Sequence, residues 1–253
     1  MNLIPNIQTN LYGLGNQFNE LSNLYRNNKL PSKILFSGPK GIGKCTLSYH
    51  LINYILSIGE EYAYDLVKLV INRDNKAFKL IQNGSNPSFF LIDISSEKKI
   101  IDIVQIRNLI NTLKKSSFSN KPRFVLIDNI EHLNLNSTNA LLKILEEPPE
   151  NVHFLLIHNN KKIPSTLTSR CLNFKINLSN KDVLDVSNKL LETDIYNLVN
   201  KDLIDYYFTP GKIYNLIKFS EENNLDIKNS DLKKFLYSLI DQSLYKKNIF
   251  IKS

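Results

Sequence analysis

The chain has no tryptophan, one methionine and two cysteines in 253 residues. The cysteines, Cys45 and Cys171, form no CxxC pair. A disulfide scaffold and a zinc knuckle are therefore excluded as readings, no metal site is expected, and a reducing cytosol is the natural setting. No apolar run approaches the ~18 residues a membrane-spanning helix needs. The first residues, Met1-Asn2-Leu3-Ile4-Pro5-Asn6, carry neither a basic stretch nor an apolar core, so no signal peptide is expected. The four histidines, His50, His132, His153 and His158, share no metal-ligand spacing. Packing or surface roles suit them better, with His158 the one near a strand end.

Acidic residues are also in deficit. Lysine and arginine number 32 against 24 acids, a formal charge of +8. That favours an acidic partner such as nucleic acid, although solvated lysines from a biased coding composition give the same excess. With 42% hydrophobic residues the chain is globular, and its length suits two domains or one large one.

Glycine is sparse, yet three of the eight fall in one short stretch, Gly38-Pro39-Lys40-Gly41-Ile42-Gly43-Lys44-Cys45-Thr46. This is the phosphate-binding loop G-x-x-x-x-G-K-[ST] with one residue changed. Gly38, Gly41 and Gly43 let backbone N–H groups wrap a phosphate, and Lys44 reaches its outer oxygens. Cys45 stands where a hydroxyl ligates Mg²⁺. A thiol is a soft, weak ligand for a cation that wants oxygen. The loop thus suits ATP or ADP and suits the metal of hydrolysis poorly. A nucleophilic role for Cys45 has no evident base beside it.

The context is right for the loop. Lys33 to Ser37 reads as a buried strand and Thr46 to Leu56 as a helix. The stretch from Gly59 to Gly84 reads as mostly helical. Further strands are expected at Phe89–Ile94, Phe124–Asp128, Val152–Ile157 and Leu172–Ile176. Helices are expected from Ile101 to Leu113, ending near Lys114-Lys115, and from a cap at Asn136-Ser137 to the stop at Pro148-Pro149. Near-continuous apolar strands separated by helices imply a parallel five-stranded α/β sheet covered on both faces. Ligands of such sheets sit at the carboxyl ends of the strands, where Gly38–Lys44, Asp128 and His158-Asn159 all fall. After about residue 178 only helices are expected, at Val183–Leu191, Ile195–Val199, near Leu203–Phe208, at Gly211–Phe219 and at Leu232–Leu244.

Asp128 ends an apolar strand downstream of the loop, the position of the acid that holds Mg²⁺ in P-loop nucleotidases. In hydrolysing enzymes of this type a Glu follows it and activates water. Here that residue is Asn129, and an amide cannot take a proton. Glu131, three residues beyond Asp128, is read as a helix-terminal or solvated charge, with a place near the site as the other option. Cys45 and Asn129 thus remove the same activity independently, so the chain's own ATPase is expected to be absent or weak. Thr168-Ser169-Arg170-Cys171 follows the fourth strand. Arg170 reads either as an ion-pair partner in its own chain or as a group projected onto a neighbour's nucleotide, for which its planar fork is suited.

The run Asn139-Ala140-Leu141-Leu142-Lys143-Ile144-Leu145-Glu146-Glu147-Pro148-Pro149, with Phe154-Leu155-Leu156 and Ser169-Arg170-Cys171 at this separation, resembles the clamp-loader branch of the AAA+ ATPases. Leu11-Tyr12-Gly13, the segment Asn27–Ser32 and the helix Ile103–Leu109 are similar to the same family. Within it, the delta-prime subunits of the bacterial DNA polymerase III clamp loader are most similar, over roughly residues 8–220. The resemblance implies an AAA+ P-loop domain over 1–177 and a small helical lid over 178–225, with Thr209-Pro210-Gly211-Lys212 matching the family's turn in the lid. Residues 226–253 would be a short remnant of the family's third, collar domain. It implies a non-motor member of a hetero-oligomeric ring, with the other clamp-loader subunits, the sliding clamp and primed DNA as partners in a bacterial cytoplasm, and no membrane. Arg170 would act in trans as an arginine finger. An active ATPase motor subunit is the alternative. Many relatives carry a four-cysteine zinc module after the P-loop helix. No cysteine lies between Cys45 and Cys171, so zinc is not implied.

Overall fold

The computed structural model describes residues 3–94, 99–115, 120–204 and 208–244. The chain divides into two compact units, Met1–Asn177 and Leu178–Ser253.

The first unit is built on five parallel strands. They are β1 (Lys33–Ser37), β2 (Phe89–Ile92), β3 (Arg123–Ile127), β4 (Val152–His158) and β5 (Leu172–Lys175), in the spatial order β2-β3-β4-β1-β5. Their pairing explains their composition. Ile34, Leu35 and Phe36 of β1, Phe124 to Ile127 of β3 and Phe154 to Ile157 of β4 are all at most 1% exposed. A central strand covered on both faces has no polar side to alternate with, so it reads as an apolar run. β5 lies at an edge beside β1 and is largely exposed.

One face is covered by α4 (Ile103–Leu113), α5 (Leu135–Glu146) and the short α6 (Ser165–Thr168). Ile106, Leu109, Leu113, Leu141, Ile144, Leu145 and Leu167 pack there against Leu35, Val125, Ile127, Phe154 and Leu156. Asp102 caps α4 in a capping box with Gln105. Helix α5 begins one turn's edge earlier than the sequence suggests. Asn134 is its cap, accepting from the Ser137 amide, while the Ser137 hydroxyl donates to Ile101 O across the unit. That long-range bond takes Ser137 out of contention as the cap. It also holds Ile101 in a bridge with Leu133, so α4 starts at Ile103.

The first unit also contains α1 (Gly15–Arg26), α2 (Lys44–Leu56) and α3 (Lys76–Gln82). Every residue of α2 except Cys45 and Thr46 is buried. The stretch between Gly59 and Gly84 departs from the helical expectation: only α3 is helical there. The rest is extended loop, tied by bridges of Val70 to Asn10 and Asp65. Tyr64 explains the difference. Its ring stacks on Phe18 at 5.0 Å, its hydroxyl meets His50 Nδ1 at 2.9 Å, and its amide donates to Ser57 Oγ. Asn53 donates to the Asn75 side chain, which also accepts from the Phe78 amide and so caps α3. Tertiary contacts, not local propensity, fix this segment.

The second unit contains α7 (Asn180–Leu191), α8 (Pro210–Glu222) and α9 (Leu232–Asp241). Its buried residues include Val183, Val186, Ile195, Val199, Ile213, Ile217 and Leu239. The expected helices at 195–199 and near 203 are single 3₁₀ turns, Ile195–Asn197 and Lys201–Leu203, each opened by an Asp194 or Asn200 side chain that accepts from the backbone. Residues 205–207 of the second of these stretches, and 245–253 of the expected C-terminal segment, lie outside the described residues. In Thr209-Pro210-Gly211-Lys212 the threonine caps α8 and the proline takes its first turn, where its missing N–H costs nothing.

Candidate nucleotide site

The strand β1 leads through Gly38 to Gly43 into α2. Gly41 and Gly43 have φ of 83° and 97°, in the left-handed region that glycine enters freely. Gly38 is required for another reason. A β-carbon there would lie 2.3 Å from Ile176 O, just beyond the end of β5. The edge strand therefore presses its backbone onto the start of the loop.

Lys44 opens α2 and is 3% exposed. Its ammonium donates to Gly38 O and Pro39 O, both at 2.7 Å. Burial pulls its pKa down to about 8, against the attraction of Asp128 and Glu131. Beside it, the Cys45 thiol is pushed well above its usual range by burial and by Asp128, to which it is hydrogen-bonded. Thr46 lies half-buried in the same first turn of α2.

Asp128 follows β3, and its amide continues the pairing by donating to Ile92 O at 2.9 Å. Burial, then the charge of Asp93, raises its carboxyl from 3.8 to about 6, against hydrogen bonds from the Asn129 amide and Cys45. Asn129 has φ 56° and ψ 46°, a left-handed conformation that Asn tolerates. Its side chain is held at both ends. Nδ2 donates to Asp93 Oδ1 at 2.8 Å, and Oδ1 accepts from Asn159 Nδ2 at 2.9 Å. Asn159 Nδ2 also donates to Glu131 Oε1 at 3.0 Å. The second oxygen of Glu131 is buried without a partner among the described residues.

The strand order makes this network. Asp93, Asn129 and Asn159 follow β2, β3 and β4, which are neighbours in that order. Glu131, on the 3₁₀ turn Ile130–His132, is thus part of the site and not a solvated charge. Asp93 carries the same signal as Asp128, an acid ending an apolar strand, and its role follows only from the strand order.

The residues fit a phosphate: a glycine loop with two left-handed turns, an amide-rich helix start and a buried lysine. They fit Mg²⁺ poorly. The hydroxyl position is a thiol already engaged with Asp128, and the position of the general base is an amide locked between Asp93 and Asn159. Among the described residues no three His, Cys, Asp or Glu side chains come together to hold a metal ion.

Arg170 lies away from this network, at the end of α6. Its Nε and Nη2 donate to Glu146 Oε1 at 3.1 and 2.6 Å, and its Nη1 donates to Thr166 O at 2.9 Å. Glu146 is the last residue of α5. Of the sites singled out in the sequence, the structure gathers Gly38, Gly41, Gly43, Lys44, Cys45, Thr46 and Asp128 at one end of the sheet and leaves Arg170 apart.

A parallel sheet in this order, with a glycine loop between β1 and α2 and an acid after β3, defines the P-loop α/β fold. The family model described as DNA polymerase III, delta subunit, matches residues 13–180, and the chain belongs to that family. The relatives include subunit gamma of DNA polymerase III from Buchnera aphidicola subsp. Schizaphis graminum, 31% identical over 83% of this chain and 58% of that protein. Subunit delta' of the same organism is 27% identical over 92% of this chain and 66% of that protein. Subunit delta' of Pseudomonas aeruginosa is 32% identical over 54% and 40%. The chain therefore spans less than two thirds of the length of these relatives. Among the described residues no helix is long and apolar enough to cross a membrane.

Proposed function

We propose that the chain is a delta-prime-like, non-motor subunit of the DNA polymerase III clamp loader, acting in a bacterial cytoplasm. It would join the other loader subunits in a ring, help load the sliding clamp onto primed DNA, and hold ATP or ADP with little or no hydrolysis of its own. In this reading residues 1–177 are the P-loop domain, the helices from 178 to about 225 the lid, and 226–253 what remains of a collar. Relatives named delta' support the assignment.

The observation that carries the reading is the state of the two residues hydrolysis would need. The Cys45 thiol is spent on Asp128, and Asn129 is clamped by Asp93 and Asn159. Lys44 and the glycine loop remain able to bind phosphate. Arg170 would serve as an arginine finger for the nucleotide of the adjacent subunit.

The gamma relatives favour a second reading, an active ATPase motor. Turnover by the purified chain separates the two. The proposal expects no ATP hydrolysis above background, with or without DNA, while nucleotide binding is retained and weakened by Lys44→Ala. Hydrolysis at the ~1–100 s⁻¹ of kinases, abolished by Lys44→Ala, would establish the motor instead.

A further inference from the structure

The contacts of Arg170 go further than its presence in a motif. Of the five N–H groups of a guanidinium, three are taken within the chain. Nε and Nη2 share the single oxygen Glu146 Oε1, and Nη1 bonds to the carbonyl of Thr166. The two donors on Glu146 are those of one edge of the fork. The pair is at the surface: the Arg170 side chain is 32% exposed and that of Glu146 52%. A pair so placed contributes little to folding. Stability is thus a weak reason for so closely tied a guanidinium.

We infer that Glu146 is a positioning residue for Arg170. It fixes one edge of the guanidinium and the plane of the fork, so that the remaining N–H groups are presented outward for an oxyanion that this chain does not supply. The inference rests on the reading of Arg170 as a finger acting on a neighbour's nucleotide. A long unanchored arginine samples many rotamers, and each must be given up when it meets a phosphate. Anchoring it to the end of α5 removes part of that loss before the encounter. The anchor is double, because Glu146 closes α5 while Thr166 belongs to α6. Both helices pack on the same core, through Leu145 and Leu167. The carboxylate also balances the charge of the guanidinium while no phosphate faces it.

The test uses the complete assembly, reconstituted with wild-type chain, Glu146→Ala, Glu146→Gln or Arg170→Ala, and reads ATPase against ATP concentration. Arg170→Ala sets the full loss for the site facing this chain. Glu146→Ala should show part of that loss, about 2- to 10-fold at that site, the scale of one freed long side chain. The fall should be in kcat with KM unchanged, and the melting temperature and assembly should stay as in wild type. Glu146→Gln should restore most of the rate, because its amide oxygen still accepts from Nε and Nη2. A role in folding alone would leave kcat alone and would not be rescued in this way. If Arg170→Ala lowers the ATPase and Glu146→Ala matches or exceeds wild type, the positioning role is wrong and the finger stands. If Arg170→Ala leaves the ATPase intact, the finger reading fails, and the role of Glu146 fails with it.

Discussion

The two ends of helix α2 bury polar groups in opposite ways. At its N-terminus Lys44 and Cys45 face Asp128, Asp93 and Glu131, and burial works against the charged forms: Lys44 falls to about 8 and Asp128 rises to about 6. One turn and a half later the same helix buries His50, Asn53 and Tyr54 in a neutral cluster of rings and amides. There Phe18 stacks on Tyr64 at 5.0 Å and meets Tyr54 edge-on at 5.9 Å, and Asn53 bonds to Asn75. The first end keeps charges that destabilise the fold unless a ligand uses them. The second gives the helix its hold on the loop that follows. The candidate site and its support are thus distinguishable along the thirteen residues of α2 by whether the buried groups are charged or neutral.

The comparison breaks first in the neutral cluster. Phe18 is fully buried, and Phe18→Ala should cost about 3–5 kcal/mol, the range for removing a core aromatic. Denaturant unfolding of the purified chain measures it. A cost below about 0.5 kcal/mol, that of an ordinary surface change, would mean that the cluster supports nothing.

The charged end should respond with the opposite sign. A carboxyl raised from 3.8 to about 6 favours its protonated form in the folded state. That preference is complete below pH 3.8, is lost as pH rises through 6, and leaves a penalty of about 3 kcal/mol above it. Asp128→Asn removes the charge and keeps an oxygen for Cys45 and Asn129. It should therefore stabilise the chain by up to about 3 kcal/mol at pH 7–8, and the gain should vanish below pH 4. His50, lowered from 6.5 to about 4 by burial, pulls wild type the other way, since its stability falls as pH drops from 6.5 to 4. The readout is thus the difference between variant and wild type, in which His50 cancels. A variant less stable than wild type at pH 7 would show that Asp128 is paired better than burial allows.

How much of this could be read from the residues differs between the two ends. β1, the glycine loop and α2 announce themselves, because a strand buried on both faces is an apolar run and a phosphate loop needs its glycines. Asp128 follows from the same rule. Asp93, Asn159 and Glu131 do not, because their meeting depends on β2, β3 and β4 lying side by side, and periodicity does not order strands. The neutral cluster was less legible still. Tyr64 and Asn75 act on residues 14 and 22 positions earlier, and the helical pattern between Gly59 and Gly84 gives way to those contacts. Glu146 was in view within a motif, and its partner Arg170 in another, but only the packing of α5 beside α6 joins them.

The smallest expected effect concerns metal. The resemblance places a zinc module in many relatives after the P-loop helix, where this chain has the neutral cluster. That cluster offers a metal little. The Nδ1 of His50 is engaged with Tyr64, and the ring also meets the backbone of Gln8. The other polar groups there are amides and hydroxyls, and structural zinc takes thiolate, imidazole or carboxylate in a closed set of four. Rings and amides would then do by packing what the resemblance assigns to coordination in a zinc-bearing family member. A chelator should leave the melting temperature unchanged, and the purified chain should contain far less than one zinc. Because metal binding free energy is folding free energy at such sites, a structural zinc could not be removed silently. Roughly one zinc per chain by elemental analysis, with a chelator-induced drop in melting temperature that Phe18→Ala does not alter, would assign the support of this segment to metal instead of to the rings.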